Sequence, residues 1–171
     1  VSVDLGNQVR RFGRQAEVKF QSVADGLREM GYAAVGFGPE DLRLPAEELI
    51  AAVAAVGDQG TPFASSNVGL LGLDTGLTPR FQIVEAGGLK IGIASVLGDS
   101  EVDTIRNDSL EMIPAAKALG EVSQQLSAAG CDHQVLLSYA SPEESRRLAA
   151  AFPQFDVVVT AGGADEPPMI P

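Results

Sequence analysis

Apolar residues fall on one helical face at Ala16, Phe20, Val23, Ala24, Leu27 and Met30, a spacing of three to four that predicts a helix from about Gln15 to Met30. Gly31 is its natural C-cap. The pattern then changes to a short continuous apolar run, Ala33 to Phe37, which reads as a buried strand. That strand delivers Gly38-Pro39-Glu40-Asp41, a glycine turn and two carboxylates, to one edge of a sheet. An alanine- and leucine-rich helix follows from about Ala46 to Val56 and stops at Gly57. With Val1 to Leu5 read as an opening strand, the order is strand, helix, strand, helix, which favours parallel pairing with right-handed crossovers.

The second half alternates in the same way. Phe63 to Val68 is a candidate strand, and the glycine-rich stretch Gly69 to Thr78 reads as a loop. Phe81 to Glu85 and Leu89 to Val96 are β-rich runs separated by Ala86-Gly87-Gly88, a hairpin signal that adds antiparallel pairing. Asp99 to Pro114 is polar and irregular, as a surface loop is. A third helix, about Ala115 to Ala129, carries Ala115, Leu119, Val122, Leu126 and Ala129 on one face, and the strand Gln134 to Ser138 follows Gly130. Ser141-Pro142-Glu143-Glu144 is a capping box with proline at the first helical position, so a fourth helix starts there and runs to about Ala151. Phe155 to Thr160 is a last buried strand. It opens into Ala161-Gly162-Gly163-Ala164-Asp165-Glu166-Pro167, and Pro167 to Pro171 reads as an exit.

Composition sharpens this picture. A chain of 171 residues, 45% hydrophobic with mean hydropathy +0.11, is long enough for one core and too short for two comfortable domains. Its net charge of −11 and pI near 4.4 argue against non-specific partners that are polyanions, namely nucleic acid and anionic membrane. No run approaches the roughly 18 consecutive apolar residues of a membrane span. The first residue is Val1 rather than Met, which reads as a processed start or a fragment. The single cysteine, Cys131, excludes an internal disulfide and a cysteine-based metal cluster, and reads as a small packing residue.

In sheets of this type ligands bind beyond the carboxyl ends of the strands. The residues there are Asn7, Pro39-Glu40-Asp41, Asn67, Tyr139 and Gly163-Ala164-Asp165-Glu166. Asn7, Glu40, Asp41, Asn67 and Tyr139 are therefore the candidate binding residues, and Asn7, Glu40, Tyr139 and Asp165 are expected close together. Arg10, Arg11 and Arg14 could hold a phosphate, or answer an otherwise acidic surface as solvated cations. The only histidine, His133, precedes its strand, so it is expected at the opposite edge as a solvated or packing residue.

Taken in order, these blocks resemble the catalytic domain of the calcineurin-like metallophosphoesterases, in particular the periplasmic 5′-nucleotidase type. Val3-Asp4-Leu5-Gly6-Asn7 stands against the family's Val-Asp-x-Gly-Asp, and Gly38-Pro39-Glu40-Asp41, following Met30-Gly31-Tyr32, against Gly-Asn-His-Glu. Ser65-Ser66-Asn67-Val68 matches the Ala-Asn-Val strand and Gly88-Leu89-Lys90-Ile91-Gly92-Ile93 the Gly-x-Lys-Ile-Gly hairpin. Leu136-Leu137-Ser138-Tyr139 stands against Leu-Ser-His. Phe155-Asp156-Val157-Val158-Val159, with Gly162-Gly163-Ala164-Asp165, stands against the Asp-x-Ile-Ile strand and Gly-His-x-His. The resemblance implies a layered α-β-β-α sandwich with mixed sheets, and residues 1–171 are read as one metallophosphoesterase-like domain, part of a longer protein.

The resemblance also implies a chemistry that these residues depart from. In the family, aspartate, asparagine and histidine hold two metal ions that activate a water and clamp the phosphate. Here Asn7 stands at the bridging aspartate, Pro39 at the asparagine ligand, Glu40 at the catalytic histidine, Tyr139 at one histidine ligand, and Gly163 and Asp165 at two more. The family's first motif, Asp-x-His on the opening strand, would lie upstream of Val1. The expectation is a degenerate, non-hydrolytic domain without a resident cofactor, acting as a binding or structural module of a larger exported protein in the periplasm or outside the cell. Its expected partners are other domains of that protein, including multihaem cytochromes, although no Cys-x-x-Cys-His is present. The alternative is a hydrolase of phosphoesters or nucleotides with an altered metal site (Mg, Mn, Ca or Zn), in which Glu40 is the candidate base. In between, Glu40, Asp41, Asp165 and Glu166 could gather round one hard cation, with Asp165 as the candidate ligand, or cap helices and solvate the edge.

Overall fold

The computed structural model describes residues 1–10, 13–54, 60–73 and 75–163. The chain opens with β1 (Val3–Asp4) and α1 (Arg14–Glu29), then β2 (Ala34–Val35), a single 3₁₀ turn (Asp41–Arg43) and α2 (Ala46–Val53). Helix α1 buries Ala16, Phe20, Ala24 and Leu27, the stripe its periodicity demands. Met30, assigned to that stripe by spacing alone, is 65% exposed because it caps the helix one step past the last turn. Helix α2 stops at Val53, with Ala54 already extended, short of the end expected at Val56; Gly57 lies outside the described residues.

The middle of the chain departs most from the sequence reading. Phe63 makes only an isolated parallel bridge to Val35, and the strand forms later, as β3 (Val68–Leu70). Beyond it come β4 (Phe81–Ala86), β5 (Leu89–Leu97), a four-residue helix α3 (Asp99–Val102) and β6 (Leu110–Met112). Strands β3 and β6 pair antiparallel, so the stretches expected as a glycine loop and a surface loop hold each other. Three residues per strand, one of them Gly69, give too short an apolar alternation to read from sequence. The chain closes with α4 (Ala115–Ala128), β7 (His133–Tyr139), α5 (Pro142–Ala151) and β8 (Val157–Ala161). The capping box works as expected: the Glu144 N–H donates to Ser141 Oγ at 3.2 Å.

Two β layers lie between two helical layers. One holds β1 and β2, paired in parallel with Val3 opposite Ala34, and the other is a mixed sheet in the order β4-β5-β7-β8. Gly87 and Gly88, with φ of 60° and 79°, supply the two left-handed residues that turn β4 antiparallel onto β5. Strands β5, β7 and β8 run parallel. Between the layers Ala34, Ile93 and Leu137 are buried at the centre of contact. On the outer side of β1–β2, Phe20, Leu27 and Leu49 pack with Val35, Phe37 and Phe63. Outside the larger sheet Leu119, Val122, Leu126 and Leu148 pack on Ala94, Val96 and Leu136. The α-β-β-α sandwich expected from sequence is thus present, and no helix among the described residues is long and apolar enough to cross a membrane.

Phe63 joins the two ends of the outer core, with ring centroids 5.9 Å from Phe20 and 5.5 Å from Phe37. Phe63→Ala is expected to cost about 3–5 kcal/mol through the cavity it leaves, read as a lowered urea midpoint with an unchanged slope.

Candidate functional site

Parallel strands β1 and β2 end side by side, and the two turns that follow them are in contact. A side chain at Gly6 would place its Cβ 2.4 Å from the Gly38 nitrogen, and one at Gly38 would meet the Asn7 Cβ at 2.4 Å. Gly6 also sits at φ 95°, in the left-handed region, and Asn7 follows it there at φ 66°. Only a pair of glycines lets these backbones approach so closely.

Asp41 holds the two turns together. Its side chain is wholly buried, and its carboxylate accepts N–H groups from Asn7 at 2.5 Å, Gln8 at 2.7 Å, Gly38 at 3.0 Å and Val9 at 3.3 Å. Burial pushes the carboxyl up from 3.8 to about 6, against the pull of these four donors. The Asn7 Oδ1 accepts the Glu40 N–H at 3.2 Å, closing the contact from the other side. Glu40 itself reaches the surface and pairs with Arg43, a partner three residues on that the sequence reading missed.

Tyr139 ends β7 at the same edge, half-buried. Burial raises its hydroxyl pKa, the negative charges of Glu101, Asp41 and Glu40 add to the effect, and Arg10 opposes it. Asn7, Glu40, Asp41 and Tyr139 are therefore neighbours, as strand-end reasoning requires. Asp165 and Glu166 lie outside the described residues, as does Arg11. Glu101 went unmarked in the sequence because its helix, α3, lay within a stretch read as irregular. Arg10 lines a cleft of about 280 Å³ with Val9, Gln15, Ala16 and Lys19.

Asn67 takes a different part. It is fully buried; its Nδ2 donates to the Leu97 carbonyl at 2.8 Å and the Ile113 carbonyl at 3.3 Å, and its Oδ1 accepts the Leu97 N–H at 3.0 Å. The amide pins β3 to the end of β5. His133 lies at the far edge, exposed, with Nδ1 3.2 Å from Asp156 Oδ2. Cys131 packs half-buried against the helical side of the larger sheet, where burial pushes its thiol up.

Solved structures give this arrangement a context. The 5′-nucleotidase precursor from Thermus thermophilus superposes with a TM-score of 0.72 at 20% identity, over 94% of this chain and 31% of its own. The NAD nucleotidase of Haemophilus influenzae gives 0.70 at 17%, over 94% of this chain and 32% of its own. The calcineurin-like phosphoesterase YfkN of Bacillus subtilis gives 0.73 at 14%, over 92% and 56%. The fold is that of the metallophosphoesterases. No family model and no curated protein matches the sequence. The chain spans about a third of the length of the two nucleotidase structures.

The metallophosphoesterase fold implies a two-metal site at this edge, and the described residues that the resemblance sets at its ligand positions do not fit it. Pro39 and Gly163 have no side-chain donor, the Asn7 oxygen is engaged by a backbone N–H, and Tyr139 offers a phenol whose pKa is raised. Among the described residues no three His, Cys, Asp or Glu side chains form a group that could hold a metal ion.

Two outcomes follow for Asp41. Asp41→Ala orphans four N–H groups of the turns, those of Val9 and Gly38 in buried contacts, and an expected loss of about 3 kcal/mol follows from ~1–3 kcal/mol for each unsatisfied buried donor. A raised pKa means that the folded state binds the proton more tightly than the unfolded chain. The resulting stability is complete below pH ~4 and is lost as pH rises through about 6. Its size is on the order of 3 kcal/mol, at ~1.4 kcal/mol per unit. Asp41→Asn cannot titrate, so urea unfolding across this range should show the wild type losing stability with rising pH relative to this variant.

Proposed function

We propose that this chain is a metallophosphoesterase-like module that keeps the fold without hydrolysis and serves as a binding or structural part of a larger exported protein. The observation that supports it is the state of three described strand-end side chains: Asp41 and Asn7 are tied to backbone N–H groups and Glu40 is paired with Arg43. A dinuclear centre needs several anionic or imidazole donors converging on two ions about 3.5–4 Å apart. Glu40 acting alone as a general base would supply about 10²–10⁴-fold, far below the up to ~10²¹ that phosphate monoester hydrolysis demands. Fold and function are separable, and this superfold hosting a non-catalytic module is consistent with that. An exported setting is supported by the likeness to a 5′-nucleotidase precursor, and its partners would be the other domains of the same polypeptide or of an exported assembly such as a multihaem cytochrome.

The test is an assay of the purified chain with a nitrophenyl phosphomonoester, its phosphodiester and a nucleoside monophosphate, each with Mn²⁺, Zn²⁺ or Mg²⁺ supplied. No turnover above background is expected. Turnover that a chelator abolishes, or elemental analysis finding two stoichiometric transition metals, would overturn the reading in favour of a hydrolase with an altered metal site.

A further inference from the structure

The turn after β1 and the first turns of α1 bound the cleft of about 280 Å³ that Val9, Arg10, Gln15, Ala16 and Lys19 line. Val9 and Ala16 are buried and give it an apolar floor. Gln15 and Lys19 stand four residues apart on α1, so they are neighbours on one face of the helix, and both are exposed at the rim with Arg10. An apolar hollow with a few polar groups converging on it is the form that small-ligand sites take.

The two cations at the rim have no partner of their own. Among the described residues neither Arg10 nor Lys19 forms an ion pair or a side-chain hydrogen bond, whereas Arg28, Arg43 and Arg80 each hold a carboxylate. With 23 acidic side chains against 12 lysines and arginines, this is not for want of carboxylates. The acidic groups nearest in effect are engaged elsewhere: Asp41 by backbone N–H groups and Glu40 by Arg43.

The surroundings select among anions. Burial, and then the charges of Glu101, Asp41 and Glu40, raise the Tyr139 hydroxyl, and Arg10 works against them, so the cleft borders a negative edge. A dianion meets that repulsion twice over, and a small hydrated ion gains nothing from an apolar floor. A single carboxylate on a compact apolar body gains from both the floor and the rim, where a guanidinium matches it in shape.

We propose that this cleft binds a small organic monocarboxylate, with its apolar body on Val9 and Ala16 and its carboxylate between Arg10 and Lys19. This deepens the reading of the chain as a binding module by naming a ligand class. Its test measures no turnover, so its failure leaves the outcome of the hydrolysis assay untouched.

The probe is benzoate, titrated into the purified chain and followed by amide chemical shifts, with benzamide as the neutral isostere and inorganic phosphate as the bare ion. Benzoate should shift the Val9, Arg10, Gln15 and Ala16 amides saturably and bind more weakly as salt is added. Lys19→Glu, at an exposed helical site that tolerates the change, should fold normally and weaken benzoate about tenfold or more. Lys117→Glu makes the same change of charge on α4 and should bind benzoate as the wild type does. Unsaturable shifts, equal binding of benzamide or of phosphate, or an equal loss in the two variants would overturn the proposal.

Discussion

The turns after β1 and β2 must lie against each other, and a single buried carboxylate makes that contact hold. Strands β1 and β2 are two residues each, too short to fix the layer through their own ladder. Asp41 supplies four further bonds to Asn7, Gln8, Val9 and Gly38, all of them to backbone. The glycines at 6 and 38 follow from the same closeness, since a Cβ at either would collide with the opposite turn. The position of Glu40 follows too, because its N–H is held by Asn7 and its carboxylate is drawn back to Arg43.

Much of this was legible in the chain. Helices α1 and α4 show in the period of their apolar residues and in Gly31 and Gly130, and α5 in its Ser141 capping box, all of them local signals. Strands β4, β5 and β7 show because six to nine residues give a pattern room to repeat. Strands β3 and β6 exist only because the rest of the sheet system brings Val68 opposite Met112, a tertiary effect that no window of sequence contains.

The roles of Asp41 and Asn67 were hidden for a different reason. A polar side chain at a strand end is a candidate ligand until its partners are known, and apart from Gly38 beside Asp41 the partners are distant in sequence. Three of the four Asp41 bonds span 32 to 34 residues, and Asn67 bonds across 30 to Leu97 and 46 to Ile113. The available signal was the density of glycine at 6, 36 and 38, which marks backbones approaching closely and hence N–H groups in need of an acceptor.

The same bonds decide what the edge can do. A cation seeking carboxylates here would have to take Asp41 from its N–H donors and Glu40 from Arg43. Charge-assisted bonds of this kind are worth about 1.5–3 kcal/mol each, and breaking those of Asp41 also releases the two turns that position Glu40. Asp4 is drawn into the same turn, its Oδ1 accepting the Gly6 N–H at 2.8 Å and Gln8 Nε2 at 2.5 Å. In a metal centre the carboxylates are held in place and left open toward the ion. Among the described residues Asp41 is closed off by backbone N–H groups and Glu40 is paired with Arg43, so these two carboxylates fix the shape of the turns.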